Sequence, residues 1–273
     1  MAKLYIVATP IGNLKDITLR ALETLKEVDL IAAEDTRHSG KLLQHYDIKT
    51  PMISLHDHNE EKCSSLICKK LHLGKNIALI SDAGTPLISD PGYHLVKEVT
   101  AQGFKIVPIP GACAAIAALS SAGLPTDKFV FEGFLPAKST QRLKHLSGLA
   151  NETRTIIFYE SPHRLLKTTA DMIAVFGPDR HVVIAKELTK TFETIHGNTL
   201  IEIQHWLLAD PQRQKGEFVI LVKGTKKVVT INAEVLRVLE LLAKDIPSKK
   251  AAALTAQITG ANKNQLYRLL ISK

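Results

Sequence analysis

The stretch Ser81–Gly92, SDAGTPLISDPG, sets two prolines, two glycines, two aspartates and three hydroxyl residues directly behind the apolar run IALI. It is neither helix nor strand. Proline stiffens such a loop, glycine lets its backbone approach a ligand closely, and many main-chain N–H and C=O groups are left to bind something. Similar stretches, ATPIGN, EDTRHSG and PIPGACAA, follow other apolar runs. None matches the GxxxxGK[ST] phosphate cradle, and the first turn has the single glycine of TPIGN where a dinucleotide site has GxGxxG. Main-chain groups, hydroxyls and small side chains suit a compact zwitterion attached to a nucleoside. S-adenosylmethionine answers that description, although many ligands share it. Its amino and carboxylate groups need paired partners, and its sulfonium tolerates carbonyl oxygens. HDHNEEKCSSLIC invites a metal through His56, His58, Cys63 and Cys68. The spacing fits no zinc pattern and Cys68 falls on an apolar helix face, so no metal is expected.

The elements that must carry these loops alternate in the first half of the chain. KLYIVA, DLIAAE, MISL, NIALIS and FKIVPIP read as strands, and helices are expected over Thr18–Val28, Arg37–His45, Glu60–Leu73, Tyr93–Gln102 and Gly111–Gly123. Helical crossovers imply a mostly parallel sheet covered on both faces, with ligands bound beyond the carboxyl ends of its strands. The four loops should therefore gather on one rim. The second half offers DKFVFEGFL, TRTIIFYES, RHVVIAKEL, KTFETIHGN and GEFVILVKG as strands, with helices near Gln141–Leu149, Arg164–Phe176 and Thr199–Leu208. KELTKTFETIHG reads as a hairpin with a tight connection at Thr189–Lys190, so this sheet should be mixed. Ala122–Asp127 is a linker candidate.

From Ile231 only helices are expected, with seven basic residues against three acids (Glu234, Glu240, Asp245). That balance suits a helix-turn-helix-like module touching nucleic acid, or equally a solvated cap or dimer contact. The domains expected are 1–122, 123–228 and 229–273. The net charge of +8 favours a polyanionic partner without proving one. No apolar run is long enough to span a bilayer. The amino-terminal residues lack the pattern of a secretory signal, and the odd count of three cysteines suits reduced thiols, so a cytoplasmic protein is expected.

Several segments together carry a resemblance: LYIVATPIGNLKDITLRALETLKEVDLIAAEDTRHSGKLL, SLHDHNE, ALISDAGTPLISDPG, VPIPGACAAIAALSSAGL, FEGFLP, FYESPHR, AKELTKTFET and KGEFVILV. Over residues 3–223 the chain resembles the ribosomal RNA small-subunit methyltransferase I family of the tetrapyrrole methylase superfamily, and from Ile231 it resembles, more loosely, that family's helical C-terminal domain. The resemblance implies two α/β domains with a cofactor cleft between them, a small C-terminal helical domain and a homodimer. It implies S-adenosylmethionine as cofactor, and methylation of a cytidine ribose 2′-hydroxyl in the decoding region of small-subunit rRNA. Matching motifs place the cofactor contacts on Pro10, Asp82, Thr85, Ile88, Ala114, Ala115, Tyr159 and Leu188. Porphyrin-type relatives usually carry Asp where Thr85 stands. The family pattern also places His58 and Glu60 beside the substrate.

A ribose hydroxyl is a poor nucleophile, so positioning, a base or an anion-stabilising cation must help it. The candidates on the rim are Glu34, Asp35, Arg37, Glu160, His163, Lys186 and Glu187. Glu34 or Asp35 is the candidate proton acceptor, Arg37 a cation for the target's phosphate or a developing alkoxide, and Lys186 or Glu187 the candidate from the other domain; the residues alone do not choose among them. Phosphates would be gripped by Lys138, Arg142 and Lys144 of AKSTQRLKH, and by Lys249 and Lys263 of the C-terminal helices. Two readings compete with an rRNA methyltransferase: a methylase of a tetrapyrrole or other small molecule, which has no use for the basic tail, and a non-catalytic RNA-binding or ribosome-assembly factor.

Overall fold

The strands of the first half form one parallel sheet. The structure, a computed structural model, describes residues 2–225 and 231–271. The elements run β1 (Lys3–Val7), α1 (Leu19–Glu27), β2 (Leu30–Ala33), α2 (Thr36–His45), β3 (Met52–Ser54), α3 (Glu60–His72), β4 (Ile77–Ile80), α4 (Tyr93–Ala101), β5 (Lys105–Ile109) and α5 (Ala114–Ser121). The sheet order is β3-β2-β4-β1-β5 with every pair parallel. LIAA and IALI are buried at all their positions, because helices cover both faces. Leu30, Ala32, Ile77 and Leu79 pack with Ile67 and Leu71 of α3 and Leu95 and Val99 of α4. Ile31, Ala33, Ala78 and Ile80 turn the other way, onto Ala21 and Leu25 of α1 and Leu43 of α2. Thr18 caps α1 through its side chain, accepting from the Ala21 N–H.

The second sheet is built from β6 (Phe129–Phe134), β7 (Thr155–Glu160), β8 (His181–Lys186), β9 (Thr194–Thr199) and β10 (Phe218–Val222), with α6 (Ser139–Gly148), α7 (Leu165–Phe176) and α8 (Leu200–Ala209) between them. Its order is β6-β7-β10-β8-β9, parallel only between β6 and β7. The mixed sheet expected from the sequence is present. Its hairpin is less tight than expected: β8 and β9 are joined by residues 187–193, where Glu187 (φ 50°) and Thr189 (φ 66°) take left-handed backbone. Alternation sends Ile157, Val183 and Val219 to one face, where Ala115, Ala118 and Leu119 of α5 pack on them together with Ile11 from the loop after β1. The small side chains of GACAAIAALSSAG are thus explained by a helix lying close on the second sheet.

Both sheets belong to one compact unit, residues 1–148 with 154–223; the other unit is 149–153 with 224–273. The second unit holds α9 (Ala233–Asp245), α10 (Ser248–Thr259) and α11 (Lys263–Ile271) around Val235, Leu239, Ala252, Ala261 and Leu266. Asn232 caps α9, and Gly260 ends α10 in left-handed backbone at φ 76°. The expected boundary at 228–229 lies outside the described residues.

Glu60, expected beside a substrate, is instead a fold residue. It is buried, and its Oε1 accepts from the N–H groups of Gly92, His94 and Leu95 at 3.1, 2.8 and 3.2 Å. A carboxylate thus satisfies donors that the first turn of α4 cannot satisfy within the helix. Gly92 (φ 129°) is required there, since a Cβ would lie 2.7 Å from Leu79. Glu60→Ala strands those buried donors and should destabilise the protein by about 2–3 kcal/mol, read as a lower urea midpoint. An unchanged midpoint would return Glu60 to the list of substrate residues.

Candidate active site

Four loops converge at the carboxyl ends of the first sheet, and they are pinned to one another. Thr9 N–H donates to Gly84 C=O (2.8 Å) and Gly84 N–H to Thr9 C=O (3.0 Å). Thr9 Oγ1 donates to the Ser81 carbonyl at 3.1 Å, and Thr85 Oγ1 to the Ala112 carbonyl at 3.0 Å. At the end of β2, Asp35 N–H donates to Asp82 Oδ1 (3.1 Å), and Asp82 N–H to Glu34 Oε2 (3.4 Å). The Ser81–Gly92 loop is strained as well as stiff: Leu87 and Ser89 sit at φ 72° and 69°. Such conformations cost about 1 kcal/mol or more each for residues with a Cβ, and they persist only where the surroundings impose them.

These loops face β7, β8 and β10 across a cavity of about 370 Å³. Asp82, Thr85, Ile88, Ala114, Tyr159 and Leu188, all expected at a cofactor, line it. Pro10 and Ala115 do not; both are buried, and their chain neighbours Ile11 and Ala114 take the wall positions. Ala115 N–H donates to the Tyr159 hydroxyl at 3.1 Å, so α5 holds that ring in place. Burial pushes the Tyr159 hydroxyl well above its usual range. Gly12 (φ 155°) admits a close approach between the halves, since a Cβ there would meet Lys190 Cγ at 2.6 Å and Thr189 Oγ1 at 2.9 Å.

One wall is acidic, with Glu34, Asp82 and Asp90 all reaching the cavity. Burial, with Asp82, Asp57 and Asp35 nearby, raises Glu34 despite the Asp82 N–H. Burial likewise lifts Asp90 to about 6, assisted by Glu34, Asp82 and Asp57 and opposed by the nearby Ser81 hydroxyl. Asp90 was not singled out in the sequence, because its standing depends on burial in a turn of unusual φ. Its one visible signal is its place inside SDPG.

The expected catalytic residues are placed elsewhere. Asp35 caps α2 and forms a forked pair with Arg37, Nε to Oδ1 at 3.2 Å and Nη2 to Oδ2 at 2.9 Å. Those hydrogen bonds hold the Asp35 carboxyl down to about 2, which makes it a poor proton acceptor. Burial opposes ionisation of Glu187, but Lys190 and the Glu217 N–H outweigh it and keep that carboxyl below its usual range. Lys186 is buried and donates to the Gln212 carbonyl at 2.7 Å. None of Asp35, Arg37, Lys186 and Glu187 lines the cavity. Glu160 does, but its carboxylate is occupied by Ser161 N–H, Arg164 and Thr168. His58, Lys138, Lys249 and Lys263 are exposed and lie outside the cavity. Among the described residues no cluster of His, Cys, Asp and Glu could hold a metal, and no helix is long and apolar enough to cross a membrane.

Residues 3–204 match the model of the tetrapyrrole (corrin/porphyrin) methylases, and residues 229–273 match the RsmI C-terminal HTH domain. The chain is 58% identical to the ribosomal RNA small subunit methyltransferase I of Haemophilus influenzae, covering 97% of this chain and 95% of that protein. It is 55% identical to the protein of the same name from Pseudomonas aeruginosa, covering 99% and 97%. Among solved structures it is similar to diphthine synthase (TM-score 0.62, 16% identity, 83% of this chain and 91% of that one). It is also similar to uroporphyrin-III C-methyltransferase of Thermus thermophilus complexed with S-adenyl homocysteine (TM-score 0.55, 15% identity, 81% and 97%). At such identities these structures speak for the fold alone.

Arg142, expected to grip phosphate, is buried inside the second half. Nε and Nη2 meet Asp171 Oδ2 at 2.7 and 2.6 Å, and Nη1 donates to the Pro136 and Ala137 carbonyls. Its guanidinium has no face left for RNA. Arg142→Ala leaves Asp171 and two carbonyls short of a partner, so it should cost about 3–5 kcal/mol of folding stability. A variant that unfolds like the parent but binds RNA more weakly would restore the original expectation.

Proposed function

This chain belongs to the tetrapyrrole methylase family, within its ribosomal RNA small-subunit methyltransferase I branch, and from that premise we propose that it methylates the ribose 2′-hydroxyl of a cytidine in the decoding region of small-subunit rRNA. The observation that carries this reading is the cavity itself, which combines carboxylates (Glu34, Asp82, Asp90) with the apolar side chains of Ile88 and Leu188 and the Tyr159 ring. A volume of about 370 Å³ suits a nucleoside-sized ligand, as small-molecule pockets run from about 300 to 1,000 Å³. S-adenosylmethionine fits that donor set, being cationic at sulfur and at its amino group. When bound, it supplies a methyl group already activated by the sulfonium.

The chain's own residues supply the rest. Glu34 and Asp82, locked together by the bond from Asp82 N–H to Glu34 Oε2, set a negative field that favours the cationic ligand over a neutral one. The apolar wall excludes water and strengthens that field. The cofactor contacts on this reading are Asp82, Thr85, Ile88, Ala114, Tyr159 and Leu188, with Pro10 and Ala115 acting through the backbone they fix. Asp90 takes the proton from the 2′-hydroxyl. It lines the cavity, no Lys or Arg bonds its carboxylate among the described residues, and an acid near pH 6 is well matched to base catalysis at neutrality. The exposed Arg37 is left for the incoming RNA. A homodimer is part of the same proposal.

Small ribosomal subunits incubated with the protein and methyl-labelled S-adenosylmethionine should yield 2′-O-methylcytidine after nuclease digestion, and uroporphyrinogen should take up no label. Label on a base, or on the porphyrinogen, would overturn the assignment.

The sign of the pH effect follows from the raised Asp90. A base must be ionised, so kcat/KM should climb as pH rises through about 6 and then level off. Asp90→Asn should lower kcat about 10²–10⁴-fold, the range of general-base catalysis, and remove that acidic limb. A variant that keeps both rate and limb would transfer the role to Glu34.

A further inference from the structure

Beside the cavity, with Pro162 in the lining of both, lies a second groove that the reaction described above leaves unused. Its volume is about 600 Å³, and its lining is Pro162, His163, Leu166, Lys167, Pro211, Gln214, Lys215 and Gly216. Pro162 lines both spaces, and Gly216 of the groove is bonded in sequence to Glu217 of the cavity. The two therefore share a wall.

Their charges are opposite. Glu34, Asp82, Asp90, Glu160 and Glu217 reach the cavity, whereas no carboxylate lines the groove. Several basic side chains of the second sheet and its loops are already engaged. Arg142 is held by Asp171, Arg164 by Glu160, and Lys190 by Glu187 and Glu217. Lys186 donates to the Gln212 carbonyl. His163, Lys167 and Lys215 are exposed and make no ion pair or side-chain hydrogen bond among the described residues. The floor is stiff: prolines stand at both sides, and Gly216 (φ 99°) packs so tightly that a Cβ would lie 2.5 Å from Glu187.

We propose that this groove holds the sugar-phosphate backbone of the RNA strand next to the target nucleotide, with Lys167 and Lys215 on its phosphates and His163 at the step over Pro162. The proposal rests on the rRNA reading and says how that substrate is held. A polyanion is repelled by the acidic cavity, so one nucleotide can be drawn in only if its neighbours are anchored by cations close by. The groove lies against the cavity, carries free cations and lacks acids. A single-stranded or splayed segment fits it, since a 2′-hydroxyl of paired RNA does not reach a recessed site.

The test uses the full chain with small ribosomal subunits and, separately, with a protein-free rRNA fragment containing the target. Lys167→Glu and Lys215→Glu should each raise KM about tenfold and leave kcat within about twofold. Each should also flatten the plot of log affinity against log salt by about 0.7–1, the value of one phosphate contact. Calorimetric affinity for S-adenosylmethionine should stay the same, which shows that the fold is intact. Lys26→Glu, which makes the same charge change beside the amino end of β2, is the control for net charge. If the Lys167 and Lys215 variants match Lys26→Glu in KM and salt slope, the groove does not hold RNA. Weakening seen with subunits but not with the fragment would assign the groove to a ribosomal protein and overturn the proposal. A parent protein that methylates neither substrate would bring down the rRNA reading itself, and the groove with it.

Discussion

Thr9 and Gly84 exchange two backbone hydrogen bonds between loops that follow different strands, and the geometry of the cavity depends on that exchange. A parallel sheet delivers its strand ends to one rim but leaves the loops there free to splay. The Thr9–Gly84 pair, the Thr85 bond to Ala112 and the Asp35–Asp82–Glu34 chain close three adjacent gaps in that rim. The loop Ser81–Gly92 takes part in all three, so it behaves as part of the sheet. Its two left-handed non-glycine residues, Leu87 and Ser89, are tolerated for the same reason. Ordering the rim during folding leaves less to be ordered when a ligand arrives, and less ordering cost means tighter binding for the same contacts.

The same rim explains how an overall positive protein keeps an acidic centre. Burial, reinforced by the neighbouring carboxylates, raises both Glu34 and Asp90, the latter to about 6, which is the electrostatic cost of crowding acids into one recess. A cation entering the cavity favours their ionised forms and is favoured by them in turn. The basic side chains around this centre fall into two sets. Arg142, Arg164 and Lys190 neutralise carboxylates of the second sheet and its helices, and they hold structure together. Lys167 and Lys215 pair with no carboxylate among the described residues. Net charge alone does not separate these sets, since a buried pair and a free cation count alike in the sum.

Much of the architecture was legible because its signals are local. Continuous apolar runs such as IALI and LIAA mark strands covered on both faces, Thr18 marks the start of α1, and Gly260 the end of α10. The site was legible only in part. Loop composition located the rim, since proline and glycine act within a few residues of themselves. Which polar side chains face the cavity is a long-range matter. Glu60 bonds to residues 32 to 35 positions away, and Arg142 to Asp171, 29 positions away. Neither partner can be read from the flanking sequence, so a structural carboxylate and a structural guanidinium both looked like surface groups. Asp35 is the opposite case: its partner Arg37 is only two positions away, and the ion pair keeps its carboxyl low.

At Gly12 the first sheet's rim meets the second sheet's hairpin with no side chain between them. Ile11 packs into the core of the second sheet, and the next residue has no side chain, so Lys190 and Thr189 can lie directly against the backbone. Lys190 reaches on from there to Glu187 and Glu217, which fixes the loop that carries Leu188 into the cavity. The chain Ile11–Gly12–Lys190–Glu187 therefore couples the first sheet's rim to the second sheet's hairpin through packing at one end and charge at the other. The packing contribution does not depend on salt, whereas the exposed part of the charge pair is screened by it. Closure of the cavity should thus persist at ionic strengths that strip RNA from the basic groove.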